Sequence, residues 1–128
     1  MRGGYILRDC EGEPLVILIA TGSEVELAVK AAANMARDRI RVRVVSVPCM
    51  ELFDSQPEEY RESVLPQHIR RRVGVEALGG MSFYKYIGLD GRLVSMKGFG
   101  ASAPGGKLFE HFGITAEAVE SAARSMIE

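Results

Sequence analysis

The sequence predicts a three-layer α/β/α sandwich built around a mostly parallel sheet. The first observation is the stretch Leu15 to Ala20, six apolar residues without a polar break, which is typical of a strand buried on both faces. The second is the turn Thr21-Gly22-Ser23, after which Ser23 and Glu26 form the capping-box pattern that starts a helix. The third is the continued alternation of strand-like and helix-like segments, with crossovers long enough for parallel pairing.

The N-terminal half supplies the first elements in order. Tyr5 to Leu7 predicts a short edge strand, and the polar turn after it ends at Pro14, ahead of the apolar stretch. The capped helix is expected to extend to about Arg37. A second core strand is predicted over Arg41 to Val47, where β-branched residues concentrate before Pro48. The helix would place its small and apolar residues on one face: Val25, Ala28, Val29, Ala32 and Ala36.

The C-terminal half continues the alternation. Two helical pieces are expected between Met50 and Leu65, with Pro57 at the first position of the second piece. The last helix is expected to be capped by Thr115 and to turn Ala118, Val119, Ala122 and Met126 inward. The elements predicted after Leu65 are a strand, a short helix, a strand, a short helix and a final helix: Val73 to Ala77, Met81 to Ile87, Arg92 to Lys97, Lys107 to His111 and Thr115 to Ile127.

Composition limits the functional classes. The 128 residues have the size of one domain, so we treat 1–128 as a single domain. Sixteen basic and 17 acidic residues leave a net charge of −1, which gives no electrostatic support for binding nucleic acid or a membrane surface. The longest apolar stretch is far shorter than the roughly 20 residues that a spanning helix needs. Cys10 and Cys49 are too far apart for a paired motif, so we expect reduced thiols in a cytoplasmic protein.

The candidate ligand site lies where the predicted strands end, because ligands of open α/β sheets bind beyond the carboxyl ends of the strands. Gly22 and Ser23 stand there at a helix N-terminus, which favours an anion, although the cap and the carboxylates of Glu24 and Glu26 work against one. Glu76 lies at the end of the third core strand and is the candidate for acid–base chemistry; the alternative is a carboxylate satisfied by backbone N–H groups or an arginine. The candidate anion or ligand site is therefore Gly22, Ser23 and Glu76.

Other reactive residue types form no recognisable site. His68 and His111 are distant in sequence, and both are expected at the surface. The run Arg70 to Arg72 is expected to be a solvated strand entrance or a partner contact. The aromatic residues between Phe83 and Tyr86 favour core or interface packing over base stacking. No catalytic residue set and no metal site can be assembled from the sequence.

The segments described above resemble the C-terminal domain of transketolase. The most specific are ATGSEVELA, beginning at Ala20, and YRESVLP, beginning at Tyr60. RGGYILRDC, FYKYIGLDG and LFEHFGIT match as well, so the likeness covers nearly the whole chain in order. Two departures are a Gly105-Gly106 pair that should make its helix start late, and an altered loop over Leu78 to Met81.

The resemblance implies a fold and a context. The implied fold is a five-stranded mixed sheet in the order 1-3-2-4-5, with strand 1 antiparallel to the others. The parent enzyme would be a homodimer that uses thiamine diphosphate and Mg²⁺ or Ca²⁺ to move two-carbon ketol units between sugar phosphates in the pentose phosphate pathway. Those groups would be held by the other domains of the transketolase chain. No catalytic, cofactor-binding or metal residue is therefore carried onto this chain.

Three functional hypotheses follow. The leading one is a C-terminal transketolase domain cut from a longer chain, non-catalytic by itself, that packs against its neighbours and supports the dimer. The alternative is a stand-alone or regulatory small-anion-binding module that uses Ser23 and Glu76 at the carboxyl edge of the sheet. The third is one chain of a naturally split transketolase. We also expect self-association through the region Phe83 to Ile87.

Overall fold

The fold is seen in a computed structural model, which describes residues 2–22, 24–76, 84–95 and 115–127. Its strands and helices alternate along the chain as the hydrophobic pattern predicts. In chain order they are β1 (Tyr5–Arg8), β2 (Val16–Ala20), α1 (Glu24–Arg37), β3 (Val42–Ser46), α2 (Met50–Asp54), α3 (Glu58–Val64), β4 (Arg72–Glu76), α4 (Tyr84–Ile87), β5 (Arg92–Ser95) and α5 (Ala116–Ser125).

The strands form one mixed sheet in the order β1-β3-β2-β4-β5. β1 runs antiparallel to β3, whereas β3, β2, β4 and β5 are parallel to their neighbours. The order and the antiparallel first strand are those that the resemblance implies, so the predicted fold class is confirmed.

Each face of the sheet is covered by its own hydrophobic core. β2 has no exposed residue, because Val16, Leu18 and Ala20 face one core while Ile17 and Ile19 face the other. α1 and α5 pack together over the first core. The second core takes side chains from α2, α3, the loop after α3, and α4: Phe53, Val64, Leu65, Ile69, Tyr86 and Ile87.

The buried stripes of the long helices are shifted from those predicted. α1 buries Ala28, Ala31, Ala32 and Met35, while Val25 and Val29 lie only partly buried at the margin and Ala36 is exposed. In α5 the buried residues are Ala116, Val119 and Ala123, whereas Ala122 and Met126 are partly buried. A period of 3.6 residues allows neighbouring stripes on one helix, and close packing against the sheet selects between them.

Several predicted boundaries move by one or two residues. Pro57 is the residue just before α3, and its carbonyl accepts hydrogen bonds from the backbone N–H groups of Tyr60 and Arg61. The prediction that Pro57 is the first helical residue was therefore wrong by one position. The predicted cap Thr115 is confirmed, because its hydroxyl accepts from the Ala118 N–H at 3.0 Å. Three groups of predictions fall outside the described residues: the Ser23 cap, the predictions for residues 77–83, and the helix over 107–111, together with both departures from the family pattern.

The segment before β1 is fixed against α2 and α3 by close backbone contact. Gly3 has φ +81°, and a Cβ there would meet the carbonyl oxygen of Cys49 and the backbone nitrogen of Phe53. A Cβ on Gly4 would lie 2.7 Å from the ring of Phe53. The Gly4 carbonyl accepts from the Tyr60 hydroxyl at 2.7 Å, and the Gly3 carbonyl accepts from the Cys49 N–H at 3.0 Å. The two glycines therefore let the chain enter the sheet through a space without room for side chains.

A charged hydrogen-bond cluster joins α2 to α4. Asp54 accepts from the Tyr86 hydroxyl at 2.8 Å and from Lys85 Nζ at 2.5 Å. Burial alone would raise the pKa of Asp54, but the hydrogen bonds from Lys85 and Tyr86 outweigh it, so that pKa lies below its usual 3.8. Burial, reinforced by Asp54, raises the pKa of Tyr86 well above its usual 10.0. At neutral pH a protonated phenol therefore donates to an ionised carboxylate.

Alanine substitutions should separate two reasons why glycine occupies these positions: a left-handed backbone and a lack of space for a Cβ. Gly12→Ala incurs only the cost of a left-handed backbone, about 1–2 kcal/mol, because φ is +77° and open space surrounds the position. Gly4→Ala adds a clash with Phe53 of roughly 1–3 kcal/mol. Gly3→Ala combines both costs, so chemical denaturation should show its largest loss of unfolding free energy. A Gly3→Ala chain as stable as the Gly12→Ala chain would contradict this packing.

Tyr86→Phe should lower the free energy of unfolding by about 1 kcal/mol at pH 7. Because the folded-state pKa of Asp54 is lowered, its contribution is present above about pH 4 and is lost as the pH falls through the folded pKa. The difference between wild type and Tyr86→Phe should therefore narrow below pH 4 in urea titrations. Tyr60→Phe is the matched control, since its hydroxyl donates to a neutral carbonyl and its cost should change little with pH. If the loss of unfolding free energy caused by Tyr86→Phe stayed constant with pH, the ionised state of Asp54 as the partner of the Tyr86 hydroxyl would be contradicted.

Candidate functional site

Two of the three predicted site residues, Gly22 and Glu76, lie at the carboxyl edge of the sheet. Ala20, the last residue of β2, pairs with Ser46 of β3 and with Val75 of β4. Gly22 follows β2 by two residues, and Glu76 is the last residue of β4, so both stand at the same end of neighbouring strands. Ser23 lies outside the described residues.

The turn at Gly22 starts α1 and is acidic. Gly22 has φ +60°, and its carbonyl accepts from the Val25 N–H at 3.3 Å as the helix begins. Glu24 and Glu26 lie in the first turn, and Glu24 is only 6% exposed. The buried side chain of Glu24 already occupies the positive end of the α1 helix dipole, which would otherwise favour a bound anion. Its carboxylate also repels a second negative charge. Anion binding at Gly22 and Ser23 stays a prediction, without support from the local charge.

Glu76 is half-buried at the end of β4 and pairs in register with Ser95 of β5. It takes part in an interaction within the fold, as Glu24 does. An engaged carboxylate agrees with the structural alternative that the sequence left open. The acid–base role of Glu76 also stays a prediction.

A second group of polar side chains lines a cleft of about 280 Å³ between α2, α3 and α4. Arg72 lines this cleft and is half-buried, so the arginine run that was expected to be a solvated strand entrance or a partner contact is not fully solvated at this residue. Its guanidinium donates to four carbonyl oxygens: Ile69 at 2.9 Å, Tyr86 at 2.6 Å, Leu65 at 3.2 Å and Pro66 at 2.7 Å. Arg72 therefore ties α4 to the loop after α3.

The chemistry of this cleft is that of a structural clamp. Asp54 stays ionised, Tyr86 stays protonated, and most donors of Arg72 are already used. None of these groups exchanges a proton near neutral pH, so they are poorly suited to general acid–base catalysis. No local sequence pattern indicates the Asp54–Tyr86 pair, because the two residues are 32 positions apart.

The remaining candidates from the sequence are dispersed. His68 is exposed and contacts Glu13, as expected for a surface histidine, while His111 lies outside the described residues. Cys10 and Cys49 are free thiols, half-buried and exposed respectively. Within the described ranges, no three His, Cys, Asp or Glu side chains converge in a way that would hold a metal ion. No helix in the described part of the chain has the length and apolar character to span a membrane.

Curated relatives match this chain over nearly its full length. "Transketolase 2" of Vibrio parahaemolyticus is 52% identical over 126 residues, which cover 98% of this chain and 19% of the relative. "Transketolase 2" of Escherichia coli is likewise 52% identical over 126 residues, with the same coverage. The chain therefore spans about a fifth of the length of these relatives.

Solved structures likewise match nearly the whole of this chain but only part of their own length. Transketolase from Leishmania mexicana superposes with a TM-score of 0.89 at 45% identity, covering 98% of this chain and 18% of that one. Transketolase from Campylobacter jejuni gives a TM-score of 0.85 at 31% identity, covering 97% and 18%. A structure described as "Split gene transketolase, inactive beta4 tetramer" gives 0.69 at 22% identity, covering 99% and 43%, which shows a shared fold.

The family comparison covers both the edge strand β1 and the clamp residues. The model of the transketolase-like TK C-terminal domain matches residues 3–115, which begin at the Gly3-Gly4 entry and end at the cap of α5. Together with the strand order and the full-length relatives, this match establishes that the chain belongs to the transketolase-like C-terminal domain family.

Proposed function

We propose that this chain serves as the C-terminal domain of a transketolase, which transfers two-carbon ketol units between sugar phosphates with thiamine diphosphate. The observation that carries the proposal is the pair of coverages: 98% of this chain matches, but it accounts for only 19% of the two curated relatives named above. About four fifths of such an enzyme lies in other domains. The domain itself acts in packing and in support of a cytoplasmic homodimer.

The cofactor groups belong to the other domains in this proposal. Thiamine diphosphate in this family is held with a divalent cation, Mg²⁺ or Ca²⁺, and such ions need several converging oxygen ligands. The described residues offer no such donor set. The described residues therefore do not fit thiamine diphosphate and its cation, and no catalytic step on this chain runs through that cofactor.

The edge strand β1 offers the surface for packing. Tyr5 and Leu7 are 43% and 42% exposed, so β1 presents two large apolar side chains to the solvent. In this proposal, the preceding domains of the transketolase pack against these side chains of β1. The region first expected to self-associate fits less well, because Tyr86 and Ile87 are buried at 6% and 4% exposure; Phe83 lies outside the described residues.

The isolated 128-residue chain should show no turnover. With xylulose 5-phosphate, ribose 5-phosphate, thiamine diphosphate and Mg²⁺, product formation should equal that of the protein-free blank, because the cofactor-binding domains are missing. A full-length transketolase assayed in parallel is the positive control. Appreciable turnover by the chain alone would refute the non-catalytic role.

A chimera tests the role directly. When this chain replaces the matching segment of Escherichia coli Transketolase 2, the product should be an active dimer, as measured by turnover and sedimentation. An inactive or monomeric chimera that still folds would contradict the proposed function.

Charge on β1 should weaken that assembly. Tyr5→Glu with Leu7→Glu in the chimera should reduce the dimer fraction and turnover, while the melting temperature of the isolated chain changes little because both side chains are exposed. Leu89→Glu is the matched control: Leu89 is fully exposed and lies beside β5, at the opposite edge of the sheet. Equal losses in both chimeras would exclude β1 as the specific packing surface.

A further inference from the structure

An arginine-lined cleft lies at the amino edge of the sheet, opposite the site that the sequence suggested. Its volume is about 410 Å³, and it lies between the C-terminal half of α1 on one side and the end of β1 with the loop that follows on the other. Arg8, Arg39 and Arg41 line it, together with Ala32 and Ala36 of α1. We call this cavity, defined by its three arginines, the arginine cleft.

A β-bulge brings Arg8 to the arginine cleft. In the pairing of β1 with β3, Ile6 is opposite Val45, but Arg8 is opposite Val44, so Leu7 is an extra residue. Val44 belongs to the core under α1, whereas Val45 belongs to the other core. Regular alternation would place Ile6 and Arg8 on one face of the sheet; the bulge moves Arg8 to the α1 face.

The end of α1 brings Arg39 to the same place. Arg39 has φ +62°, the left-handed conformation that usually belongs to glycine at this position after a helix. The Ile40 N–H returns to the Met35 carbonyl at 3.1 Å and closes the helix end. Arg41 follows immediately before β3, and its Nε donates to the Glu13 carbonyl at 2.6 Å, which fixes the side chain across the chain entry to β2.

The charges of the arginine cleft are not balanced by carboxylates. Arg8, Arg39 and Arg41 make no ion pair with any other residue in the part of the chain that the structure describes. Asp9 also lines the cleft, but it is paired with Arg43 at 3.0 Å. Glu11 is the other carboxylate of the lining. A local excess of positive charge therefore exists in a chain whose net charge is −1.

We propose that the arginine cleft binds a small molecule that carries a phosphate or diphosphate group. Guanidinium groups match phosphate oxygens with two parallel hydrogen bonds, and the cavity has the size of ordinary small-molecule sites. The C-terminal dipole of α1 opposes an anion, but it does so more weakly than one charge-assisted hydrogen bond from a guanidinium favours it. The arginines therefore outweigh the dipole.

Calorimetric titration of the 128-residue chain with inorganic pyrophosphate tests the proposal. We expect one saturable site whose affinity falls as the salt concentration rises from 50 to 150 mM, as for partly exposed charges at about these ionic strengths. Inorganic phosphate should bind more weakly, because it presents fewer oxygens. Arg8→Gln and Arg39→Gln should each reduce the pyrophosphate affinity about tenfold.

Arg92→Gln is the matched control. Arg92 is exposed on β5, away from the arginine cleft, and among the described residues its guanidinium donates to the Asp90 and Gly91 carbonyls of its own turn. This variant should keep the wild-type affinity, and the circular dichroism of every variant should match the parent. Absence of saturable binding, unchanged affinity in both cleft variants, or an equal loss in Arg92→Gln would each overturn the proposal. None of these results bears on the transketolase role, which the chimera tests separately.

Discussion

The fold depends on the complete burial of β2. All five of its residues are inaccessible to solvent, and they alternate between the two cores. A strand in this position must be covered by helices on both sides, and its parallel neighbours require crossovers that supply those helices. The three layers, the central place of β2 and the common carboxyl edge of the parallel strands all follow from this one requirement.

Two arginines hold the layer of α2, α3 and α4 in place. Arg43, 9% exposed, donates to the Ser63 and Val64 carbonyls at the end of α3 and pairs with Asp9. Arg72 donates to carbonyls around α4 and the loop after α3. Helix ends leave carbonyl groups without intrahelical partners, and an arginine with its planar set of donors can satisfy several at once. Both arginines therefore have an architectural role.

Charge is divided between the two edges of the sheet. The carboxyl edge carries Glu24 and Glu76, both engaged within the fold, whereas the amino edge carries Arg8, Arg39 and Arg41 without ion-pair partners among the described residues. In open α/β sheets the carboxyl edge is the usual ligand edge. The chain spans about a fifth of the length of its curated relatives. In the proposed role, substrate binding belongs to the other domains, and the acidic groups at the carboxyl edge agree with that proposal.

The sequence by itself determined the fold class, the order of the elements and the family. Those features depend on local patterns: the apolar stretch Leu15 to Ala20, the turn at Gly22, the cap at Thr115, and segments such as ATGSEVELA. Helix boundaries and buried faces were less certain, as the shift from Val25 and Val29 to Ala31 and Met35 shows. There the side chains of facing elements decide, and they come from distant parts of the chain.

Only the tertiary structure decided what each charged residue does. Arg43, Arg70 and Arg72 are chemically identical in the sequence, yet the first and third clamp carbonyls while the second is an exposed partner of Asp90. The bulge at Leu7 that redirects Arg8 has no signal in the sequence, since it exists only in the register between β1 and β3. Electrostatic function depends on distances across the fold, and a linear pattern does not contain those distances.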